Sequence, residues 1–285
     1  MRFLIIIPAH NEEENILLCL QSLVLQTYQA FEMVVVNDGS TDATTSLLSD
    51  FISTLKEEKK AQFSILDLEK SEHQPGAKVV RTFNKGLAKS DVEKFDVICK
   101  FDADIIFPEN YLEKINQVYE NQPNVGMVSG LVNIEKNGEW VYENLSSKNH
   151  VRGPIKSYRT ECFEKMNGLR PVLGWDNLDV LLAKMHGFEV VTIKDLYVKH
   201  LRPTAYKYKN QKAEKLGEYF YNIGLNFPLT VISSLKSAVK NKSVSEFFIT
   251  LKSFLKQNHN RVLSKEEIRF IRSYRWNEMF KKLKP

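Results

Sequence analysis

Cysteine is scarce. Three occur in 285 residues (Cys19, Cys99 and Cys162), far apart and each in or beside an apolar stretch. That odd, scattered set argues against a disulfide framework or a cysteine-based zinc site and suits a reducing compartment. Long apolar runs are also missing. No uninterrupted stretch reaches the roughly 18 apolar residues that a membrane span requires. The opening "MRFLIIIPAHN" loses its apolar core at Ile7 with no small-residue cleavage site behind it. A buried first strand is therefore expected there, not an export signal. Low-complexity tracts and internal repeats are absent too. What remains is the composition of a soluble globular protein, 43% hydrophobic and 26% charged. Its length suits one large α/β domain, or a domain with an appendage.

Charge is plentiful but unevenly placed. Residues 206–285 carry 17 Lys and Arg against 6 Asp and Glu, whereas residues 1–205 carry 23 against 29. The split predicts a domain over 1–205 and a basic, largely helical extension over 206–285, with different partners for each. In the extension, "PLTVISSLKSAVK" puts Ile232, Leu235 and Val239 on one helical stripe. "SEFFITLKSFLKQ" groups Phe247, Leu251, Phe254 and Leu255. Such helices either lie on an anionic membrane surface or pack back on the domain with their lysines solvated. No nucleic-acid recognition motif accompanies the charge.

In the first two thirds, short runs of branched apolar residues recur: "FLIII" (3–7), "MVVVN" (33–37), "FSILDL" (63–68), "FDVICKF" (95–101) and "VGMVSGLV" (125–132). Their hydrophobicity is continuous, not alternating, so both faces should be covered, as in a parallel sheet between helices. Helical patterns separate the first four runs. The βαβαβαβ order predicts a mostly parallel, doubly wound, Rossmann-like α/β sheet. Ligands in such sheets bind beyond the carboxyl ends of the strands. Those ends read Pro8-Ala9-His10-Asn11-Glu12, Asn37-Asp38-Gly39-Ser40 and Asp102-Ala103-Asp104. Each is polar and follows a buried run directly.

Glycine is missing where a dinucleotide site would need it. The turn after the first strand, "PAHNEEEN", contains none, and without one the backbone cannot approach a pyrophosphate closely. That excludes an NAD-type site even though Asp38 stands where an acid could hold a ribose. Asp102 and Asp104, two apart on an extended segment, should aim to the same side. Two carboxylates facing an anionic ligand make sense with a hard divalent cation between them, Mg²⁺ or Mn²⁺. The plainer alternative is that Asp38, Ser40 and Asp42 build a turn and cap the next helix.

Taken together, "IIIPAHNEEENI", "VVVNDGSTD" and "FDAD", in this order and spacing, resemble family 2 glycosyltransferases of the GT-A fold over roughly residues 2–202. The resemblance implies an inverting enzyme that uses a nucleotide-sugar donor, most often a uridine one. Pro8, Ala9, His10, Asn11 and Glu12 would line the base and ribose. Asp38 would accept a hydrogen bond from the uracil, with Gly39 letting backbone approach. Asp-x-Asp is how that family holds its metal, with Asp104 the direct ligand, Asp102 reaching ribose or metal, and Ala103 between them. His200 in "YVKHLRPT" is a third candidate ligand, which would favour Mn²⁺, and Arg202 a phosphate contact. Lys78 and Arg81 follow Gly76 at a helix start suited to an anion.

The family places its general base in an acidic pair at the start of a helix, which here matches "NGLRPVLGWDNLDVLLAKMHGF". Trp175 stands where the first acid often lies. Asp176 aligns with the second, and Asp179 is one place off. Both acids would share a helix face near the positive end of the macrodipole and stay ionised, or serve merely as a cap and its companion. Trp175 could offer a ring to a sugar. Tyr158, Arg159 and the loop with Trp140, Lys148 and Arg152 would flank the acceptor, a glycan or lipid-linked molecule on the cytosolic side. Two rivals remain: a nucleotidyltransferase, which would want a basic loop after strand one, and a non-catalytic nucleotide-binding or membrane scaffold.

Overall fold

The computed structural model describes residues 1–69, 76–202 and 212–281. The first half alternates strands and helices: β1 (Phe3–Ala9), α1 (Ile16–Val24), β2 (Phe31–Asp38), α2 (Thr44–Thr54), the single turn α3 (Glu57–Lys60), β3 (Phe63–Leu68), α4 (Ala77–Leu87) and β4 (Val97–Phe101). There follow β5 (Ile105–Ile106), α5 (Tyr111–Asn121), β6 (Val125–Lys136), β7 (Glu139–Tyr142), β8 (Ile155–Arg159), α6 (Thr160–Lys165), α7 (Trp175–Met185) and β9 (Glu189–His200). Four helices close the described chain: α8 (Lys212–Asn222), α9 (Phe227–Asn241), α10 (Val244–Lys256) and α11 (Lys265–Lys281).

The strands form one sheet in the order β3-β2-β1-β4-β8-β6-β9-β5, with β7 paired to β6. β3, β2, β1 and β4 run parallel, as the alternating order requires. β8 enters antiparallel beside β4 and β6, and β9 is parallel to β6. The sheet is thus parallel on one side and mixed on the other.

Continuous hydrophobicity has the expected cause. In β1, Phe3, Ile5 and Ile7 face the helices α1, α2 and α5, while Leu4 and Ile6 face α4, α6 and α7. All five side chains are almost completely buried, each worth about 1.5–3 kcal/mol relative to exposure. Gly86 lets α4 lie close on the sheet: a Cβ there would come 2.6 Å from Val36 Cγ2 and 2.9 Å from Ile6 Cγ2.

The C-terminal helices pack back on this body. Ile223, Leu229 and Ile271 share a core with Leu178 and Leu182 of α7, and Arg170 pairs with Glu267 at 3.0 Å. The expected boundary at residue 205 lies outside the described residues. The stripe expected on α9 is real, but Ile232, Leu235 and Val239 all face solvent, while Thr230, Ser234 and Ala238 face inward. In α10, Phe254 is buried and Leu255 exposed. No described helix is long and apolar enough to cross a membrane. All three cysteines are buried and unpaired.

Candidate active site

A cavity of about 290 Å³ opens at the carboxyl ends of β1, β2 and β4. Its floor is Pro8, Ala9 and Ala103. One end is made by His10, Asp38, Lys78 and Thr82, the other by Glu12, Asp102, Asp104 and Arg202.

The loop after β1 manages without glycine because Asn11 takes the left-handed conformation, φ 55°, which asparagine tolerates better than most residues. Asn11 does not line the cavity. Its backbone N–H donates to Ser40 Oγ at 3.0 Å, and its side-chain carbonyl accepts from the Thr41 N–H at 2.8 Å. Gly39 lies in the same seam at φ 58° and is likewise off the cavity. Asp42 precedes the N-cap Ala43 of α2, its Oδ1 accepting the Thr44 N–H at 3.0 Å. These bonds clamp the two strand-end loops together and fix His10, whose Nδ1 lies 2.8 Å from the Asp38 carbonyl oxygen.

Asp38 ends β2 with its carboxylate almost wholly buried. Thr82 donates to its Oδ2 at 3.1 Å, and Lys78 Nζ lies 3.2 Å from the same oxygen. Both come from the start of α4, which Gly76 introduces at φ 72° while pressed against Leu173. Arg81 on the same helix is exposed and does not line the cavity.

Asp102 and Asp104 are not on an extended segment. Residues 103–104 form a turn between β4 and β5, so the alternation rule does not apply and the two carboxylates take different partners. Asp102 accepts from the buried Lys100 ammonium. Asp104 faces His200 Nε2 at 3.4 Å and accepts from Arg202 Nε at 3.1 Å. Arg202 also pairs with Glu12 across the cavity. The pairing of Ile105 with His200 brings the end of β9 beside the aspartates.

Burial alone would raise the Asp104 carboxyl, but His200 and Arg202 outweigh it and hold it below its ordinary value. The Glu12 carboxyl is raised, because burial outweighs Arg202. Burial opposes charge on His200, yet Asp104 and then Glu143 (Nδ1 to Oε2, 3.6 Å) raise the imidazole to about 9.

Among the described residues no three His, Cys, Asp or Glu side chains form a ready-made metal cage. The donor set still fits a hard divalent cation. Such ions in diphosphate sites commonly take one or two carboxylates from the protein and the rest from substrate oxygens and water. Asp102 and Asp104 both line the cavity, with the His200 imidazole beside Asp104.

Behind this end lies a buried group that the residue spacing did not announce. Lys156, fully buried in β8, donates to both Asp179 oxygens at 2.7 Å and to the Asp176 carbonyl. Tyr158 donates to Asp179 Oδ2 at 2.6 Å. Asp179 is therefore sealed in an ion pair, out of reach of any acceptor. Burial raises its carboxyl against the pull of Lys156. Asp176, in the first turn of α7 behind Gly174, is half-buried.

Trp175 does not reach the cavity. Its ring is buried, with Lys100 Nζ 5.2 Å and Lys156 Nζ 5.3 Å from its centroid. It serves as a platform for two ammonium groups, not as an exposed face for a sugar.

Tyr158 is a core residue, and Arg159 is spent on the carbonyls of Val125, Tyr119 and Gln122. Arg152 is buried against Glu143 at 2.5 Å. Trp140 and Lys148 belong to the outer hairpin side, near Lys199 and Tyr142 respectively. None of these five lines the cavity.

The profile of glycosyl transferase family 2 matches residues 4–170, more than half of the sequence. The chain belongs to glycosyl transferase family 2. A probable glycosyltransferase of Bacillus subtilis, YdaM, is 31% identical over 166 residues, taking in 57% of this chain and 34% of that protein. The poly-beta-1,6-N-acetyl-D-glucosamine synthase of Staphylococcus epidermidis is 26% identical over 125 residues, 44% of this chain and 27% of that one. This family 2 chain thus spans about a third or less of those two relatives.

Among solved structures, S. aureus TarS residues 1–349 with UDP-GlcNAc superposes with a TM-score of 0.58 at 16% identity, over 92% of this chain and 93% of that one. The mannosyltransferase PcManGT from Pyrobaculum calidifontis, with GDP-Man and Mn²⁺, gives 0.59 at 16%, over 98% and 75%. The fold is accordingly the GT-A fold.

Four residues in or around this family 2 site were missed from sequence: Thr82, Lys100, Lys156 and Glu143. Lys100 carried a signal. A lysine inside the apolar run "FDVICKF" must find a carboxylate if that strand is buried, and Asp102 stands two places on.

Proposed function

We propose that this chain is an inverting glycosyltransferase that moves a sugar from a nucleotide-sugar donor, with uridine diphosphate as leaving group, to a hydroxyl of a glycan or lipid-linked acceptor. The observation that carries the reading is one cavity, at the carboxyl ends of the parallel strands, lined by both Asp38 and Asp104. The complexes of fold neighbours with UDP-GlcNAc and GDP-Man support a nucleotide-sugar donor.

In this reading the Asp38 carboxylate accepts the imide N–H of the base, held by Thr82 and Lys78. The diphosphate lies toward Asp102 and Asp104. Those two, with His200, would hold Mn²⁺ or Mg²⁺, which when bound offsets charge on the departing diphosphate. Arg202 adds charge-assisted hydrogen bonds to phosphate. Asp176, in the first turn of α7 and outside the lining of the cavity, accepts the proton of the incoming hydroxyl as general base. One displacement inverts the anomeric centre. A lipid-linked acceptor would put the enzyme at a membrane face in polysaccharide assembly on the cytoplasmic side.

Calorimetric titration of uridine diphosphate, with and without Mn²⁺, tests the site. Binding should depend on the metal, be lost in Asp104→Asn and survive in Asp176→Asn. Donor turnover should fall at least about 100-fold in Asp176→Asn. Absence of binding under all conditions would overturn the uridine reading. Binding without turnover on any donor would make the chain a nucleotide-binding scaffold.

A further inference from the structure

The helical hairpin α9–α10 buries Leu229 and Phe254 but turns much of its apolar surface outward. On α9 the small and polar Thr230, Ser234 and Ala238 face the body, and the Ser234 hydroxyl finds no hydrogen-bond partner among the described residues. The apolar stripe points outward. Exposure climbs along it toward the turn at Lys242: Leu235 is 54% exposed and Val239 70%. Past the turn Val244 is 75% exposed and Phe248 63%; farther along α10 Ile249 is 41% and Leu255 65% exposed. The two most exposed large apolar side chains of the hairpin, Val244 and Val239, thus flank its turn, the reverse of what water selects for an uncovered surface.

Charge identifies what covers it. From Phe227 to Lys256 the hairpin has five lysines (236, 240, 242, 252 and 256) and one acid, Glu246. All five lysines are exposed. Glu246 is engaged in the turn, its carboxylate accepting from Asn241 at 2.7 Å and its N–H donating to Ser243 Oγ. A second copy docked tip to tip would set this positive surface against itself, because a two-fold interface presents the same patch from both sides. An anionic bilayer supplies both complements, hydrocarbon for the tip and phosphate for the ammonium groups.

We infer that the α9–α10 tip is a membrane-docking element that inserts Leu235, Val239, Val244 and Phe248 into the headgroup region of an anionic bilayer while Lys236, Lys240 and Lys242 meet lipid phosphates. The inference stands on residues apart from the nucleotide cavity, so it holds or fails independently of the activity proposed above.

The test is co-sedimentation of the full chain with vesicles of phosphatidylcholine alone and of phosphatidylcholine mixed with phosphatidylglycerol. Binding is expected only to the anionic vesicles and should weaken as salt is raised. Val239→Ser with Phe248→Ser should lower affinity about tenfold or more, and Lys240→Gln about fivefold. All these positions are solvent-exposed, so thermal transitions and uridine diphosphate affinity should be unchanged. Three results would each overturn the inference: no binding to anionic vesicles by protein with an intact thermal transition, equal binding by the variants, or a dimer in solution that Val239→Ser dissolves, which would make a second copy the occupant.

Discussion

Lys156→Met is the most informative single change in the body of the protein. The ammonium has no exposure and reaches both Asp179 oxygens at 2.7 Å. Removing it leaves the carboxylate buried with Tyr158 as its remaining side-chain donor. Removing one partner of such a buried pair costs about 3–5 kcal/mol, a large part of the about 5–15 kcal/mol that holds a domain together. The thermal midpoint should fall by about 10 °C. Lys156→Met with Asp179→Leu takes away both charges and should recover to within about 1 kcal/mol of the parent.

The penalty in the single variant has a pH signature. With its cation gone, the folded-state pKa of Asp179 lies above the ordinary 3.8. The folded state then binds a proton more readily than the unfolded one, so the penalty shrinks as pH falls toward about 4. Urea unfolding followed by circular dichroism, at neutral and acid pH for the single and double variants, measures each quantity. Turnover adds a readout that stability does not, since Lys156 also holds the Asp176 carbonyl. The restabilised double variant should keep nucleotide affinity and lose kcat. A cost under about 1 kcal/mol in the single variant, or no recovery in the double, would refute the reasoning, because a buried unpaired carboxylate cannot be that cheap.

Two further outcomes are expected. Burial first, then Lys156, lowers His150 from 6.5 to about 4. The unfolded chain therefore binds a proton that the folded one refuses between those pH values, and stability falls as pH drops through the window, by at most about 3 kcal/mol. His150→Gln should flatten that part of a stability–pH curve, and an unchanged slope would remove His150 as its source. Gly86→Ala drives a methyl into Ile6 and Val36 beneath α4 and should cost about 1–3 kcal/mol in urea unfolding.

Strands and helices of the first half were legible because burial on both faces leaves a mark that one sequence displays. β1 reads as five consecutive large apolar residues because alternate ones meet different helices. The cavity's position followed from the same logic, since parallel strands deliver their polar termini to one edge. Directions were not legible. The stripe on α9 was found, but periodicity gives a face without saying which way it turns, and here it turns outward. Asp102 and Asp104 seemed bound to point together until a turn between them broke the extended geometry. Asp176 was preferred to Asp179 only by its alignment, and a lysine on β8, 23 residues back from Asp179, separates them physically by sealing Asp179. The first and last of these misses are tertiary contacts between segments far apart in the chain, and the Asp102–Asp104 one is a local turn.

The pairings around the cavity also bear on how an acid-lined cleft would accept the diphosphate proposed above. A diphosphate charge about 6 Å from a carboxylate is repelled by about 3 kcal/mol at an effective dielectric of about 20. Glu12, Asp38, Asp102 and Asp104 together would make the cleft prohibitive. None stands alone: Lys78 meets Asp38, Lys100 meets Asp102, and Arg202 spans Glu12 and Asp104. With the His200 imidazole, raised to about 9, beside Asp104, four cations face the four carboxylates, and the field that a ligand meets is close to neutral. The partners also differ in freedom. Lys100 is locked beneath the Gly153 carbonyl and over Trp175, whereas Arg202 is about half exposed at the end of β9. The carboxylate with the least movable cation is Asp102, and the one whose compensation can be exchanged for a ligand's own cation is Asp104, which is why Asp104→Asn discriminates better than Asp102→Asn between a metal-binding site and a merely paired one.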